Sequence, residues 1–223
     1  AQLGDFFVLD AFAMAHRDEA SVTGIPHYIP GLAGLTFEKE VDIISKALKE
    51  KKKPFVTIVG GAKISSKISL LEKFIAISDF VLLGGGLANT FLAAQNVNIG
   101  RSLCEKDNIQ QAANLYALKD RHNTSLQLPV DAVIAEDPES APSVVDIDNV
   151  PESHKILDIG PKTQKIFADI ISKAETIIWN GPMGYIEHDH FKEGSDSLCR
   201  AITENKHAVS IVGGGETLTA ISG

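Results

Sequence analysis

Four stretches of this chain repeat one pattern, in which a short apolar run is followed by closely spaced glycines and then, in most cases, by a helical segment. They are TIVGGAK at 57–63, VLLGGGLAN at 81–89, IIWNGPMG at 177–184 and SIVGGGETL at 210–218. Strands that alternate with helices form right-handed βαβ units and a parallel sheet covered by helices on both faces. The pattern therefore predicts an α/β fold with a doubly wound parallel sheet, a Rossmann-like arrangement of three layers.

The glycine turns predict where a ligand binds. In an open parallel sheet, ligands lie beyond the carboxyl ends of the strands. All four turns follow the predicted strands directly, so they fall on that edge. One such turn is explained by tight packing, but four in corresponding places favour a lined pocket.

The first turn carries two lysines. Phe55–Val59 is a buried strand by composition, and Gly60 and Gly61 let the backbone approach a ligand closely. Lys63 and Lys67 are four residues apart, so on a helix that begins after the glycines they share one face. Free backbone N–H groups, a positive helix end and two ammonium groups together predict a phosphate site.

Two carboxylates follow the later turns. Glu187 lies past NGPMG, and Glu216 follows three glycines at a predicted helix start. Glu216 is either a partner of the helix dipole or a ligand of Mg²⁺, which commonly binds one or two carboxylates plus phosphate oxygens. The chain has no G-x-x-x-x-G-K-[ST] motif, and GGGLAN ends in Asn89 where a dinucleotide fingerprint needs glycine.

The composition argues against two classes of protein. A formal charge of −8 argues against a general nucleic-acid binder, and no run approaches the ~20 apolar residues of a membrane span. Cys104 and Cys199 match no metal spacing, which favours free thiols in a reducing cytoplasm. We expect the chain to be truncated at both ends, since it starts near a strand and stops soon after a predicted helix begins.

The remaining elements are predicted as follows. Residues 5–12 form a buried strand, and the polar stretch after it, with His16 and Arg17, is either a solvated loop or a ligand contact. The proline- and glycine-rich stretch 26–34 has the composition of a hinge, and Thr36 is a candidate cap for the helix that follows it. Further strands are expected near 128–135 and at the start of ILDIGPKT (156–163).

These motifs, in this order, resemble phosphoglycerate kinases of the bacterial type. The matching stretches are LDAFAMAHR, PFVTIVGGAKISSKI, LLGGGLANTFLAAQ, GRSL, LPVD, ILDIGP, IIWNGPMGYIE and SIVGGGETLTAI. The resemblance implies reversible phosphoryl transfer between 1,3-bisphosphoglycerate and ADP, giving 3-phosphoglycerate and ATP with Mg²⁺, in glycolysis. It also implies a cytoplasmic monomer of two domains. Residues 1–24 would end the phosphoglycerate-binding domain, 25–53 would be hinge and interdomain helix, and 54–223 would be most of the nucleotide domain.

The resemblance also assigns site residues. Lys63 would stabilise the phosphoryl group in flight, and Arg17 would bind phosphoglycerate. Gly214, Gly215 and Thr217 would present backbone N–H groups to the phosphates, and Thr217 its hydroxyl as well. Glu216 stands where the family usually has the magnesium-binding aspartate, and Pro138 stands where an aromatic residue usually borders the adenine. The residues implied to bind the nucleotide are Gly61, Ala62, Lys67, Gly85, Gly86, Leu157, Asn180, Pro182, Gly184, Tyr185, Glu187, Glu216 and Thr217.

Two other functions stay open at this stage. A nucleotide-binding module without catalysis is the second hypothesis, because most residues that would grip phosphoglycerate lie outside this chain and transfer needs both substrates held. A nicotinamide-dependent oxidoreductase on a similar sheet is the third. Binding of Mg·ADP without transfer would favour the module, and binding of NADH without binding of ADP would favour the oxidoreductase.

Overall fold

The computed structural model describes the backbone of residues 2–221 and divides the chain into two compact units, residues 1–51 and residues 52–223. The finer division at residues 24 and 53 stays a prediction.

The first unit contains a small parallel sheet and one long helix. Strand β1 (Phe7–Leu9) pairs in parallel with β2 (Gly31–Ala33), and helix α1 spans Leu35–Lys49. The prediction of a buried strand over 5–12 is wrong: β1 has three residues, and none of them is fully buried. A strand also lies inside the proline- and glycine-rich stretch 26–34, because its backbone pairs with β1.

Helix α1 is capped from a distance. Oδ1 of Asp10 accepts a hydrogen bond of 2.8 Å from the Phe37 N–H group in the first turn. This hydrogen bond is the main reason why the pKa of Asp10 is lowered. Thr36 lies inside the helix rather than before it, so its predicted role as the cap is wrong.

The second unit is organised around a five-stranded sheet. Its order is β10-β9-β3-β4-β5, and every neighbouring pair is parallel. The doubly wound parallel sheet predicted from the sequence is therefore confirmed. The strands are β3 (Phe55–Val59), β4 (Phe80–Leu83), β5 (Ser125–Gln127), β9 (Thr176–Asn180) and β10 (Val209–Gly213).

Helices cover both faces of this sheet. Side chains alternate along β3, so Val59 enters one apolar core while Val56 and Ile58 enter the other. Helices α2 (Ile68–Ile77), α3 (Gly85–Ala94) and α4 (Ile109–His122) pack on the first face. Helices α5 (Pro161–Ile171) and α6 (Glu193–Glu204) pack on the second, and the short α7 (Gly215–Ile221) follows β10.

A second sheet in this unit is antiparallel. Strand β6 (Asp131–Ala135) lies between β7 (Ser143–Asp146) and β8 (Lys155–Ile159), and it runs antiparallel to both. The strand predicted near 128–135 is confirmed from residue 131 onward, and ILDIGPKT does begin with a strand and lead into a helix. The sequence did not predict that these strands leave the parallel sheet.

Helix α2 begins later than predicted. It starts at Ile68, so Lys63 and Lys67 lie in the turns before it and do not share a face of its first turns. A distant carboxylate explains the delay: Ser65 donates to Glu105 from its N–H group (2.9 Å) and from its hydroxyl (2.6 Å). These bonds hold residues near Ser65 in a non-helical conformation. Among the described residues, no helix is both long and apolar enough to cross a membrane.

Candidate functional site

The carboxyl ends of four parallel strands lie side by side. In the register of the sheet, Val59 at the end of β3 pairs with Leu83 of β4 and with Asn180 of β9, and Asn180 pairs with Gly213 of β10. The four glycine turns therefore share one edge, as the sequence predicts. Backbone amides from four segments meet there.

The turns are bonded to one another through their backbones. The N–H group of Gly60 donates to the carbonyl of Asn180 (2.9 Å), and that of Gly61 donates to the carbonyl of Pro182 (2.8 Å). A Cβ atom at residue 60 would overlap the Pro182 carbonyl oxygen, so only glycine permits this approach. Main-chain hydrogen bonds therefore join the first turn to the third.

A cavity of about 310 Å³ opens at this edge. Its volume lies at the lower end of the range typical of small-molecule sites, which is about 300–1,000 Å³. Ten of the residues that the resemblance assigns to nucleotide binding line it: Gly61, Ala62, Gly85, Gly86, Leu157, Pro182, Gly184, Tyr185, Glu187 and Glu216.

Other lining residues were missed. Leu103, Pro129 and Met183 contribute apolar surface, and Asp158 contributes a buried carboxylate. Asp158 belongs to the ILDIGP motif, in which only Leu157 was assigned a role. A carboxylate between Leu157 and Ile159, within the apolar part of β8, was the available clue.

Lys67 lies over the glycine turns. Its ammonium group donates to the Gly60 carbonyl (2.7 Å) and, more weakly, to the Asn180 carbonyl (3.4 Å). Burial lowers the pKa of Lys67, while the negative charge of Glu216 opposes that shift. A cation and an anion therefore lie close together where the strands end.

The fourth turn supplies a hydrogen-bonded cluster. Thr217 is fully buried; its hydroxyl accepts from the Gly181 N–H group (2.6 Å) and donates to the Gly213 carbonyl (2.9 Å). Asn180 also donates to the Gly213 carbonyl, from Nδ2 at 3.2 Å. Gly214 lies against both side chains with a φ of +96°, a conformation that favours glycine. The cluster joins the third turn to the fourth.

Comparison with known proteins identifies the family. The family model described as phosphoglycerate kinase matches the chain over residues 1–223. This chain belongs to the phosphoglycerate kinase family. The resemblance inferred from the motifs is thereby confirmed.

Individual phosphoglycerate kinases resemble the chain over part of their length. The one from Chloroflexus aurantiacus is 44% identical over 225 residues, which is 99% of this chain but 56% of the relative. The solved structure of phosphoglycerate kinase from Coxiella burnetii gives a TM-score of 0.87 at 42% identity, over 97% of this chain and 56% of that one. The one from Pyrococcus horikoshii gives 0.84 at 29% identity, over 99% and 56%. The chain spans little more than half the length of these relatives.

Lys63, the residue assigned to the moving phosphoryl group, is not part of the cavity lining. Its side chain is exposed, and its charge acts on Glu105. Partial burial raises the pKa of Glu105, but hydrogen bonds from Ser65 and Ile64 and the charge of Lys63 together lower it. The role of Lys63 stays a prediction.

Arg17 lies in the first unit, in an exposed segment. Its Nη1 atom is 3.3 Å from Oε1 of Glu19, with both side chains about half exposed. Exposed pairs of this kind contribute little to stability, so the guanidinium is available to an anionic ligand. Its assignment to phosphoglycerate likewise stays a prediction.

Proposed function

We propose that this chain is the nucleotide-binding part of a phosphoglycerate kinase, with ADP or ATP bound at the edge of the five-stranded sheet. One observation carries the proposal: four glycine turns, Lys67 and Glu216 converge beside one cavity in a chain of this family. Backbone amides and an ammonium group suit a polyphosphate, and the apolar part of the cavity suits a base.

The proposed orientation of the nucleotide is the one that the family resemblance implies, and the lining residues are compatible with it. The adenine and ribose would lie between Gly85–Gly86 and the Leu157 and Tyr185 wall, with Glu187 on the ribose hydroxyls. The phosphates would lie toward Asn180 and Lys67, near the amides of Gly214, Gly215 and Thr217. Thr217 would act through its amide, because its hydroxyl already bonds to Gly181 and Gly213.

Glu216 fits a magnesium ligand. Its carboxylate lines the cavity and lies close enough to Lys67 to act on its pKa. A single carboxylate plus phosphate oxygens is a common way to bind Mg²⁺. When bound, the ion would neutralise phosphate charge; the chain's own contribution is to hold Glu216 in the first turn of α7.

The proposed reaction is transfer of a phosphoryl group between 1,3-bisphosphoglycerate and ADP. Such transfers depend on positioning and on neutralising charge more than on covalent chemistry of the protein. Lys63 would meet the transferred group, and Arg17 would bind phosphoglycerate. We further propose that the enzyme acts as a cytoplasmic monomer.

A second candidate is a module that binds Mg·ADP or Mg·ATP without transfer. The observation that favours this candidate is the length of the chain, which spans only 56% of the length of its relatives. Transition-state stabilisation needs both substrates to be held together.

Isothermal titration of this chain with Mg·ADP, with NADH as the comparison, tests nucleotide binding. A coupled assay for transfer from 1,3-bisphosphoglycerate then separates the two candidates. We expect Mg·ADP to bind and NADH not to bind. Binding with transfer supports the kinase, binding without transfer supports the module, and failure to bind Mg·ADP refutes both.

A further inference from the structure

Asp158 is a buried carboxylate in the cavity wall to which the proposed function gives no role. It lies in strand β8, next to Leu157, and is only 2% exposed. Its Oδ1 atom accepts from the Ile159 N–H group (2.8 Å), and Oδ2 accepts from the Gly194 N–H group (2.7 Å). Both oxygens are therefore bound by main-chain amides.

The Gly194 contact joins β8 to helix α6. Gly194 lies in the first turn of α6, whose N-cap residue Lys192 provides no side-chain cap. Asp158 thus serves as that cap from another element, and its negative charge lies at the positive end of the helix.

Two glycines lie in close contact with this carboxylate. A Cβ atom at Gly184 or at Gly194 would overlap the side chain of Asp158. Close packing from both sides leaves the carboxylate little room to move. Asp158 therefore fixes the distance between strand β8, the backbone at Gly184 and the start of α6.

The segment that begins at Gly184 forms part of the cavity wall. Tyr185 and Glu187 follow Gly184, and both line the cavity. The Tyr185 N–H group donates to the Leu157 carbonyl (2.8 Å), so the segment is bonded to β8 one residue before Asp158. On its other side, the Met183 N–H group donates to Oγ of Ser195 in α6 (2.9 Å).

We propose that Asp158 is a positioning residue of the nucleotide site, which holds residues 184–187 so that Tyr185 and Glu187 meet the base and the ribose. This inference rests on the proposed function. The inference distinguishes two parts of the site. Asp158 positions the segment 184–187, whereas the glycine turns and Lys67 form the polyphosphate end.

The charge of the carboxylate sets the conditions of the test. Burial raises the pKa of Asp158 to about 7, the amides of Gly194 and Ile159 lower it, and the acidic Glu193 and Asp196 of α6 raise it further. Binding is therefore measured at about pH 8, where the carboxylate is mostly ionised and accepts both amides.

The experiment compares two probes on the same protein samples. Mg·ADP contacts both parts of the site, whereas inorganic tripolyphosphate with Mg²⁺ contacts only the polyphosphate end. Asp158→Asn keeps the size of the side chain but replaces one acceptor oxygen by an NH₂ group. We expect this change to lower the affinity for ADP about tenfold, the usual scale for a buried hydrogen bond to a charged group, and to change that for tripolyphosphate less than about twofold.

Asp148→Asn, an exposed substitution of the same kind in the same unit, is the control and should leave both affinities unchanged. Asp158→Ser is measured in parallel, since its smaller side chain fits the same glycine-lined space. The ratio of the two affinities does not depend on how much of a variant is folded.

An ADP affinity that is unchanged in both Asp158 variants, or an equal loss for both probes, overturns the inference and leaves the proposed function standing. If the unaltered chain fails to bind ADP, the proposed function falls and the inference with it.

Discussion

Replacing Asp158 by asparagine should change how the stability of the chain depends on pH. The pKa of this carboxyl group is raised from 3.8 to about 7, chiefly because burial disfavours its charged form. Between these two values the folded protein binds a proton that the unfolded chain has released. Its contribution to stability is therefore complete below about pH 4 and declines as the pH rises to 7.

The expected magnitude follows from this shift. One pKa unit corresponds to about 1.4 kcal/mol, and the effect accumulates over the interval in which the folded and unfolded states differ in protonation. Between about pH 5.5 and pH 8, the wild-type chain should lose about 2 kcal/mol relative to Asp158→Asn, most of it below pH 7. Asparagine does not titrate, so the difference between the two proteins isolates the carboxyl group from all other titrations.

Urea unfolding followed by Trp179 fluorescence, at several pH values, gives the free energies of unfolding. Trp179 is suitable because it is buried in the core beside β3. Asp158→Ser should give the same pH slope as Asp158→Asn if titration of the carboxyl group is the cause. A stability difference that stays constant from about pH 5.5 to pH 8 would show that Asp158 is not protonated in the folded protein below pH 7, and the reasoning would be refuted.

Three further predictions address other parts of the molecule. Lys63→Ala in a full-length enzyme should lower the turnover strongly and change the ADP affinity little, because its charge is needed most while the phosphoryl group moves; an unchanged turnover would contradict this role. Glu216→Ala should weaken binding of Mg·ADP more than binding of metal-free ADP, and titrations that show equal losses would argue against metal ligation. Asp131→Ala should destabilise the second unit by about 2–3 kcal/mol in urea unfolding, because the buried carboxylate accepts from the N–H groups of Lys162 and Thr163 and from the Thr163 hydroxyl at the start of α5. Asp148→Ala, an exposed control, should change stability by under about 0.5 kcal/mol. Equal losses in the two variants would contradict the argument.

Local pattern was sufficient to predict four of the five strands of the parallel sheet, whereas the short β5 was not predicted. Strands β3, β4, β9 and β10 are apolar runs that end in glycines, and both features act within a few residues of each other in sequence. Pattern was insufficient for β6 and β8. Each contains an apolar run typical of a strand, but strand direction depends on the partner chosen, and β6 pairs with the antiparallel β7 and β8.

Distant contacts explain the other errors. Helix α2 starts at Ile68 because Glu105, forty residues away, binds the amide and hydroxyl of Ser65. Helix α1 is capped by Asp10, which is 27 residues before Phe37. In both cases a carboxylate from another segment satisfies a backbone N–H group, and propensity within the helix carries no information about it.

About half of the cavity lining could be predicted, because the glycine turns and their neighbours are recognisable as motifs. Asp158 was missed because two of the residues it contacts, Gly184 and Gly194, are respectively 26 and 36 residues further along the chain. A buried carboxylate is costly unless its oxygens are bound, so its presence within an apolar strand implies bonding partners elsewhere. The motif shows that partners must exist without showing which they are.

The position of Lys67 near Glu216 suggests how an acidic chain would bind the proposed polyphosphate. With a formal charge of −8, the protein has no general attraction for anions, so the affinity must come from the local site. The Lys67 ammonium donates to the carbonyls of Gly60 and Asn180, and the negative charge of Glu216 partly offsets its positive charge. A magnesium ion on Glu216, as proposed, would cancel that offset and leave the lysine's charge for the phosphates. Metal and nucleotide should therefore bind cooperatively, because each removes a charge that opposes the other.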